Sequence, residues 1–79
     1  MTAEQVHALV EEFVRELHPD VSSVPTSADL AELGVDSLSF VDLLSALERR
    51  SGVEIPDDLL PRLTTVRDLM DHIASRAHA

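Results

Sequence analysis

Apolar residues recur at helical spacing in three stretches of the chain and lose that rhythm between them. Val6, Leu9, Val10, Phe13 and Leu17 repeat every three or four residues, which places them on one face of a helix. Thr2-Ala3-Glu4-Gln5 supplies the threonine and glutamine of a capping box, so the spacing predicts a helix over residues 3–17. His18-Pro19-Asp20 ends it, because a residue before proline is pushed out of helical geometry.

Residues 18–36 form a long connection for so short a chain. A loop of that length is functional or is held down by its own apolar contacts, and Val21, Val24, Leu30 and Leu33 can supply them. Ser27 to Leu33 could make one short helical turn, stopped by Gly34. A second helix is predicted from Ser37 to about Arg50, closed by Ser51-Gly52. Val53-Glu54-Ile55-Pro56 reads as extended. Asp57 to Leu60 has room for one or two turns, with Pro61 keeping the element short. Thr64-Thr65-Val66-Arg67-Asp68 is a further cap signal, opening a last helix with Val66, Leu69, Met70 and Ile73 as its apolar positions. The pattern predicts an all-α chain: three main helices and one short one in a small four-helix bundle, with a long loop between the first two.

Stepping about 100° per residue along the second helix puts Phe40, Leu43, Leu44 and Leu47 in one core-facing sector. The opposite side carries Leu38, Val41, Asp42, Ser45, Glu48 and Arg49, with Ser37 at its edge. Leu38 points almost directly away from the core. Beside Val41, and ringed by charge, it reads as part of a docking patch. The alternative is that Leu38 packs beneath the long loop.

Composition narrows the functional classes. Seventy-nine residues allow one domain, spanning 1–79, around one small core. Fifteen acidic residues face six arginines, lysine is absent, and the formal charge is −9. That balance argues against nucleic acid and against an anionic membrane, and favours basic protein partners met with electrostatic steering. No apolar run approaches a membrane span, and no signal peptide is evident. Without cysteine there is no disulfide framework, so the expected compartment is the cytoplasm. No apolar stripe is left over for a sizeable interface, so a monomer is expected.

Ser37 is the residue with chemical interest. A serine hydroxyl is a weak nucleophile until a base activates it, and no histidine lies near Ser37 in sequence. Asp36-Ser37 at a helix start is also ordinary capping. The free amides and partial positive charge of that helix end would, however, favour a phosphate ester on Ser37. That physics fits a kinase site as well as any other phosphorylated group.

Leu33-Gly34-Val35-Asp36-Ser37-Leu38, Val41-Asp42-Leu43-Leu44, Ala46-Leu47-Glu48, Glu54-Ile55-Pro56-Asp57 and Thr64-Thr65-Val66 together resemble an acyl carrier protein. The resemblance runs in register from about residue 4 to residue 75. The Asp-Ser-Leu triplet alone is weak; with Glu-Ile-Pro-Asp and Thr-Thr-Val at the family spacing it is strong. It implies a four-helix bundle in which Ser37 receives 4′-phosphopantetheine from coenzyme A, transferred by a separate phosphopantetheinyl transferase. The arm's thiol would then carry acyl groups as thioesters, and the chain would be a non-catalytic substrate of its partners. The resemblance further implies that Asp36, Leu38, Val41, Asp42 and Glu48 present the second helix to those partners: an acyltransferase or other loading enzyme, a ketosynthase, and related assembly-line enzymes. The acids would pair with arginines or lysines and set on-rate and orientation.

The sequence departs from housekeeping fatty-acid carriers. Arg49 and Arg50 are basic where such carriers usually stay acidic, and Ser39 is neutral. These charges should disfavour strongly basic docking surfaces and favour a dedicated partner set, as in polyketide or related natural-product and antibiotic biosynthesis. Peptidyl carriers of nonribosomal pathways often have Gly-Gly before the serine pair; Val35 in place of the second glycine leans towards acyl cargo. Beginning at Met1 and ending at Ala79, the chain reads as a free-standing carrier.

Three other classes compete. An acidic helical adaptor with a phosphorylated Ser37 would need only a kinase. A hydrolase using Ser37 would need an orienting base and oxyanion donors, for which no pattern exists. Metal binding is suggested by His7 and Glu11, four apart, and by Asp68 and His72, but three or four converging ligands are needed and none are evident. Asp68 and His72 are instead expected to make a surface helix contact.

Overall fold

The computed structural model describes residues 1–76. Helix α1 spans Ala3–Leu17, α2 spans Ser37–Ser51 and α3 spans Val66–Ala74, with a short 3-10 helix at Asp57–Arg62. This is the all-α four-helix bundle that the apolar periodicity predicts, with no strand among the described residues. Helix α1 has the predicted limits, and both arms of its capping box are made: Gln5 N–H to Thr2 Oγ1 at 3.2 Å, and Thr2 N–H to Gln5 Oε1 at 2.8 Å. It packs against both α2 and α3. Val6, Val10 and Val14 from α1, Leu43 and Leu47 from α2, and Val66, Leu69 and Ile73 from α3 are fully buried between them. Phe40, expected in the core stripe, is only partly buried against this cluster.

The long connection is neither helical nor loose. Leu33 N–H bonds the Asp29 and Leu30 carbonyls and Gly34 N–H bonds Ala31, giving the one short turn expected ahead of Gly34. Two surfaces hold the loop. On the α1 side, His7, Glu11 and Arg15 lie four residues apart and form a polar stripe against it. His7 Nε2 donates to the Val24 carbonyl at 2.6 Å, Glu11 Oε2 accepts Val24 N–H at 3.1 Å, and Arg15 donates to the Ser22 carbonyl at 2.8 Å. The first of these bonds requires the ring proton on Nε2. The apolar side chain of Val24 is thereby pressed into the core, where it is 2% exposed.

On the α3 side, Asp29 pairs with Thr65 in an isolated antiparallel bridge. Leu30 N–H bonds the Thr64 carbonyl at 2.9 Å. Val66 and Arg67 N–H, two of the orphan donors at the start of α3, bond the Ala28 and Thr26 carbonyls at 3.2 and 2.8 Å. The loop therefore caps α3 with its own backbone, alongside the Thr65 side chain that accepts Asp68 N–H at 3.1 Å.

Two expectations need correction. Asp68 and His72 do not pair. The Asp68 carboxylate turns back to accept Thr64 and Thr65 N–H, both at 3.0 Å, because orphan donors lie within its reach. His72 is buried, 8% exposed, with Nε2 3.4 Å from the Glu54 carbonyl oxygen. The short helix also continues past Leu60 to Arg62 and contains Pro61. A 3-10 segment accommodates this because its bonds are short-range: Leu59 N–H to Pro56 and Leu63 N–H to Leu60 are both made, and proline's fixed φ suits the winding.

Gly34 and Gly52 both adopt positive φ, +81° and +73°. Around Gly52, the C-cap of α2, there is open space, whereas a Cβ on Gly34 would run into the imidazole of His18. Gly52→Ala should thus cost only the left-handed penalty, about 1–2 kcal/mol in a urea melt. Gly34→Ala should cost more, and His18→Ala in the same chain should recover the excess.

Candidate functional site

The start of α2 is shaped by what precedes it. Gly34 reverses the chain, and Val35 is buried with its N–H on the Leu30 carbonyl at 3.1 Å. Asp36 is then in extended geometry as N-cap, its carboxylate accepting Ser39 N–H at 2.8 Å. That hydrogen bond, reinforced by the Ser39 hydroxyl, holds the Asp36 carboxyl below its ordinary value of 3.8. Ser37 follows as the first helical residue and is exposed.

The capping task falls to Asp36, so the Ser37 hydroxyl enters no hydrogen bond among the described residues. It stands at the positive end of a helix of fifteen residues with nearby backbone amides pointing outwards. The nearest carboxylate in sequence, Asp36, is a weakened base because its ionised form is so well hydrogen-bonded. The arrangement suits a hydroxyl that accepts a phosphoryl group from another protein's active site. It does not suit self-activation.

Beside Ser37 opens a mostly apolar cleft of about 190 Å³. Leu30 and Val35 from the loop, Phe40 from α2, and Leu60, Leu63 and Thr64 from the 3-10 helix and its exit form its walls. Sequence reasoning placed Leu30 and Phe40 among apolar contacts but did not gather these residues at Ser37. The pairing of Asp29 with Thr65 is what does so, and no local pattern announces a single bridge.

The outward face of α2 holds the other expected site residues. Leu38 is 80% exposed and Val41 54% exposed, so Leu38 does not pack beneath the loop. Asp42, Ser45 and Arg49 are exposed on the same side. Glu48 is different. It is half-buried, and its Oε2 accepts Ile55 N–H at 3.0 Å, anchoring the segment that follows α2. Arg50 lies off this face, lining a groove against Leu9, Glu12 and Phe13 of α1.

No group of three or more His, Asp or Glu converges among the described residues; His78 lies outside them. His7 and Glu11 are engaged with the loop instead. Among the described residues no helix is long and apolar enough to cross a membrane.

Leu38→Ala should leave the unfolding free energy within about 0.5 kcal/mol of wild type, since the side chain is already in water. A second expectation concerns pH. Like Asp36, Asp68 is held below 3.8, chiefly by the Thr65 N–H, so both carboxylates favour the fold when ionised. Their contribution is complete above the unfolded-state pKa and is lost as pH falls through the folded-state one, so stability should drop over the acid interval below about pH 4. Asp68→Asn should be less stable at pH 7 and lose less over that interval, as read by circular dichroism melts.

Comparison with known proteins agrees with this geometry. The family described as phosphopantetheine attachment site matches residues 7–73. An acyl carrier protein of Thermosynechococcus vestitus is 42% identical over 77 residues, covering 96% of this chain and 91% of the relative. That of Zymomonas mobilis is 39% identical over 72 residues, with 91% and 90% coverage. One from Helicobacter pylori is 37% identical over 71 residues, with 89% and 87% coverage. Similarity sustained over nearly the whole of both partners, on a four-helix bundle, shows that the chain belongs to the acyl carrier protein family, non-catalytic carriers that bear covalent 4′-phosphopantetheine and act as substrates of the enzymes they serve.

Proposed function

We propose that Ser37 is the attachment point of the phosphopantetheine arm, and that the chain works as one cytoplasmic domain serving polyketide or related natural-product assembly. The observation that carries the attachment is the free hydroxyl of Ser37 at the first position of α2, relieved of capping by Asp36. In the loading step, Ser37 Oγ bonds to the phosphorus of coenzyme A that bears the pantetheine. The adenosine bisphosphate leaves, and the hydroxyl proton passes to a base of the transferase. The new phosphodiester is anionic and sits at the positive helix end, where it is tolerated by the fold. The arm supplies a terminal thiol that holds an acyl group as a thioester. No cysteine competes with it.

The chain's own residues then position this arm. Asp36 and Asp42 flank the exposed Leu38 and Val41, giving partners an apolar contact bracketed by carboxylates. Such a surface suits a phosphopantetheinyl transferase, an acyltransferase and a ketosynthase with basic rims, and it governs encounter rate more than affinity. The apolar cleft beside Ser37 is next to the arm's root and gives an acyl group somewhere to leave water. Buried Val35 in the turn before Ser37 accompanies the acyl reading over the aminoacyl one. The pathway assignment is supported by the exposed Arg49, which interrupts the acidic face.

The direct test is intact mass after incubation with coenzyme A and a broad-specificity phosphopantetheinyl transferase. Wild type should gain one phosphopantetheinyl group. Ser37→Ala should gain none while melting normally, because the cap is on Asp36. No gain on wild type, with the transferase active on a control carrier, would overturn the assignment.

A further inference from the structure

The outward face of α2 changes sign along its length. Taking Ser37 as origin and about 100° per residue, Leu38, Asp42, Ser45 and Arg49 fall in one stripe roughly 60° wide, opposite Leu43 and Leu47. Asp42 gives its upper half an exposed carboxylate, and the exposed Asp36 carboxylate stands before the first turn at that end. Arg49 gives its lower end one exposed guanidinium. Its sequence neighbours Glu48 and Arg50 fall outside the stripe, about 100° to either side of Arg49. The structure gives each another contact: Glu48 Oε2 accepts Ile55 N–H at 3.0 Å, and Arg50 lies over the α1 groove. Arg49 makes no ion pair among the described residues; the two that form involve Glu11. It is therefore available to a partner.

Resting on the docking role given to this face, we infer that Arg49 is a specificity residue that selects partner enzymes with a carboxylate opposite the lower end of α2. Such a partner presents arginine or lysine near Ser37, an apolar recess for Leu38 and Val41, and an aspartate or glutamate further down. The spacing follows from helix rise: about 10 Å from Asp42 to Arg49, and about 20 Å from Asp36. A partner basic along that whole length meets repulsion at one end. With Ser45 neutral between them, the two charge patches read separately. Their separation is at or beyond the Debye length of about 8 Å at physiological ionic strength, so each patch is set by its own local partner charge. Reversed docking is penalised as well, since it would place Arg49 against the basic rim and the carboxylates against the acid.

The test uses a malonyl transferase from a bacterial fatty acid pathway, chosen for a docking ridge basic along its whole length. Holo wild type, Arg49→Gln and Arg49→Glu are its acceptors. Loading by the phosphopantetheinyl transferase comes first: a wild type that takes no arm sinks the carrier reading and this inference with it. With loading complete, kcat/KM should rise in the order wild type, Arg49→Gln, Arg49→Glu, by about three- to tenfold overall at low salt. The change should reside in KM and collapse near 0.5 M sodium chloride. Single lysine-to-glutamate changes along the ridge should then include one that reverses the order, so that wild type outperforms the Arg49→Glu acceptor at that ridge position alone. Equal kcat/KM for all three acceptors, or no ridge change that reverses the order, would overturn the role of Arg49 while leaving the carrier assignment intact.

Discussion

The geometry around Ser37 depends on how residues 18–36 are held between α1 and α3. With no sheet among the described residues, there is no ladder to satisfy the backbone of so long a segment, and unpaired buried amides are costly. The solution here is reciprocal. The loop lends the Ala28 and Thr26 carbonyls to the orphan amides of α3, and α3 lends the Thr64 carbonyl to Leu30. Polar side chains of α1 take up Val24 and Ser22 from the other side. Once Leu30 is fixed, its carbonyl receives Val35 N–H, Gly34 can turn only as it does, and Asp36 arrives where it caps α2.

Several of the fifteen acidic residues therefore also act as hydrogen-bond acceptors within the chain. Asp36 and Asp68 cap helices, Glu11 secures the loop and Glu48 secures the segment after α2. A carboxylate is well suited to this, because charge-assisted bonds to backbone amides are stronger than neutral ones and need no buried cation. Net charge alone thus overstates how much acidity is offered to partners. What α2 presents is a short set of groups, with Leu38 and Val41 at its centre.

A hydroxyl that another protein is to modify must be reachable and inert. Handing the cap to Asp36 leaves Ser37 unbonded and accessible, and hydrogen-bonding Asp36 firmly deprives Ser37 of a strong neighbouring base. The same arrangement places the apolar cleft next to Ser37 without building a catalytic group into its walls.

Much of this was legible before any coordinates. Helix limits at Ala3–Leu17 and the starts of α2 and α3 follow from capping residues and 3.6-residue periodicity, which are local and act within a few residues. The exposure of Leu38 follows from the same periodicity, and the Ser37 motif together with the downstream Glu-Ile-Pro-Asp and Thr-Thr-Val spacing pointed to the family. What periodicity could not reach was side-chain choice among competing partners: Asp68 turning to Thr64 and Thr65 in place of His72, and Glu48 turning inward to Ile55. Nor could it reach the Asp29–Thr65 pairing, which joins residues far apart in sequence. By itself the sequence determined which segments are helical and which serine begins the second one, because those depend on neighbours along the chain. Only the tertiary structure decided which charges remain free on α2 and what lines the cleft at Ser37, because hydrogen-bond donors from distant segments must first be brought within reach.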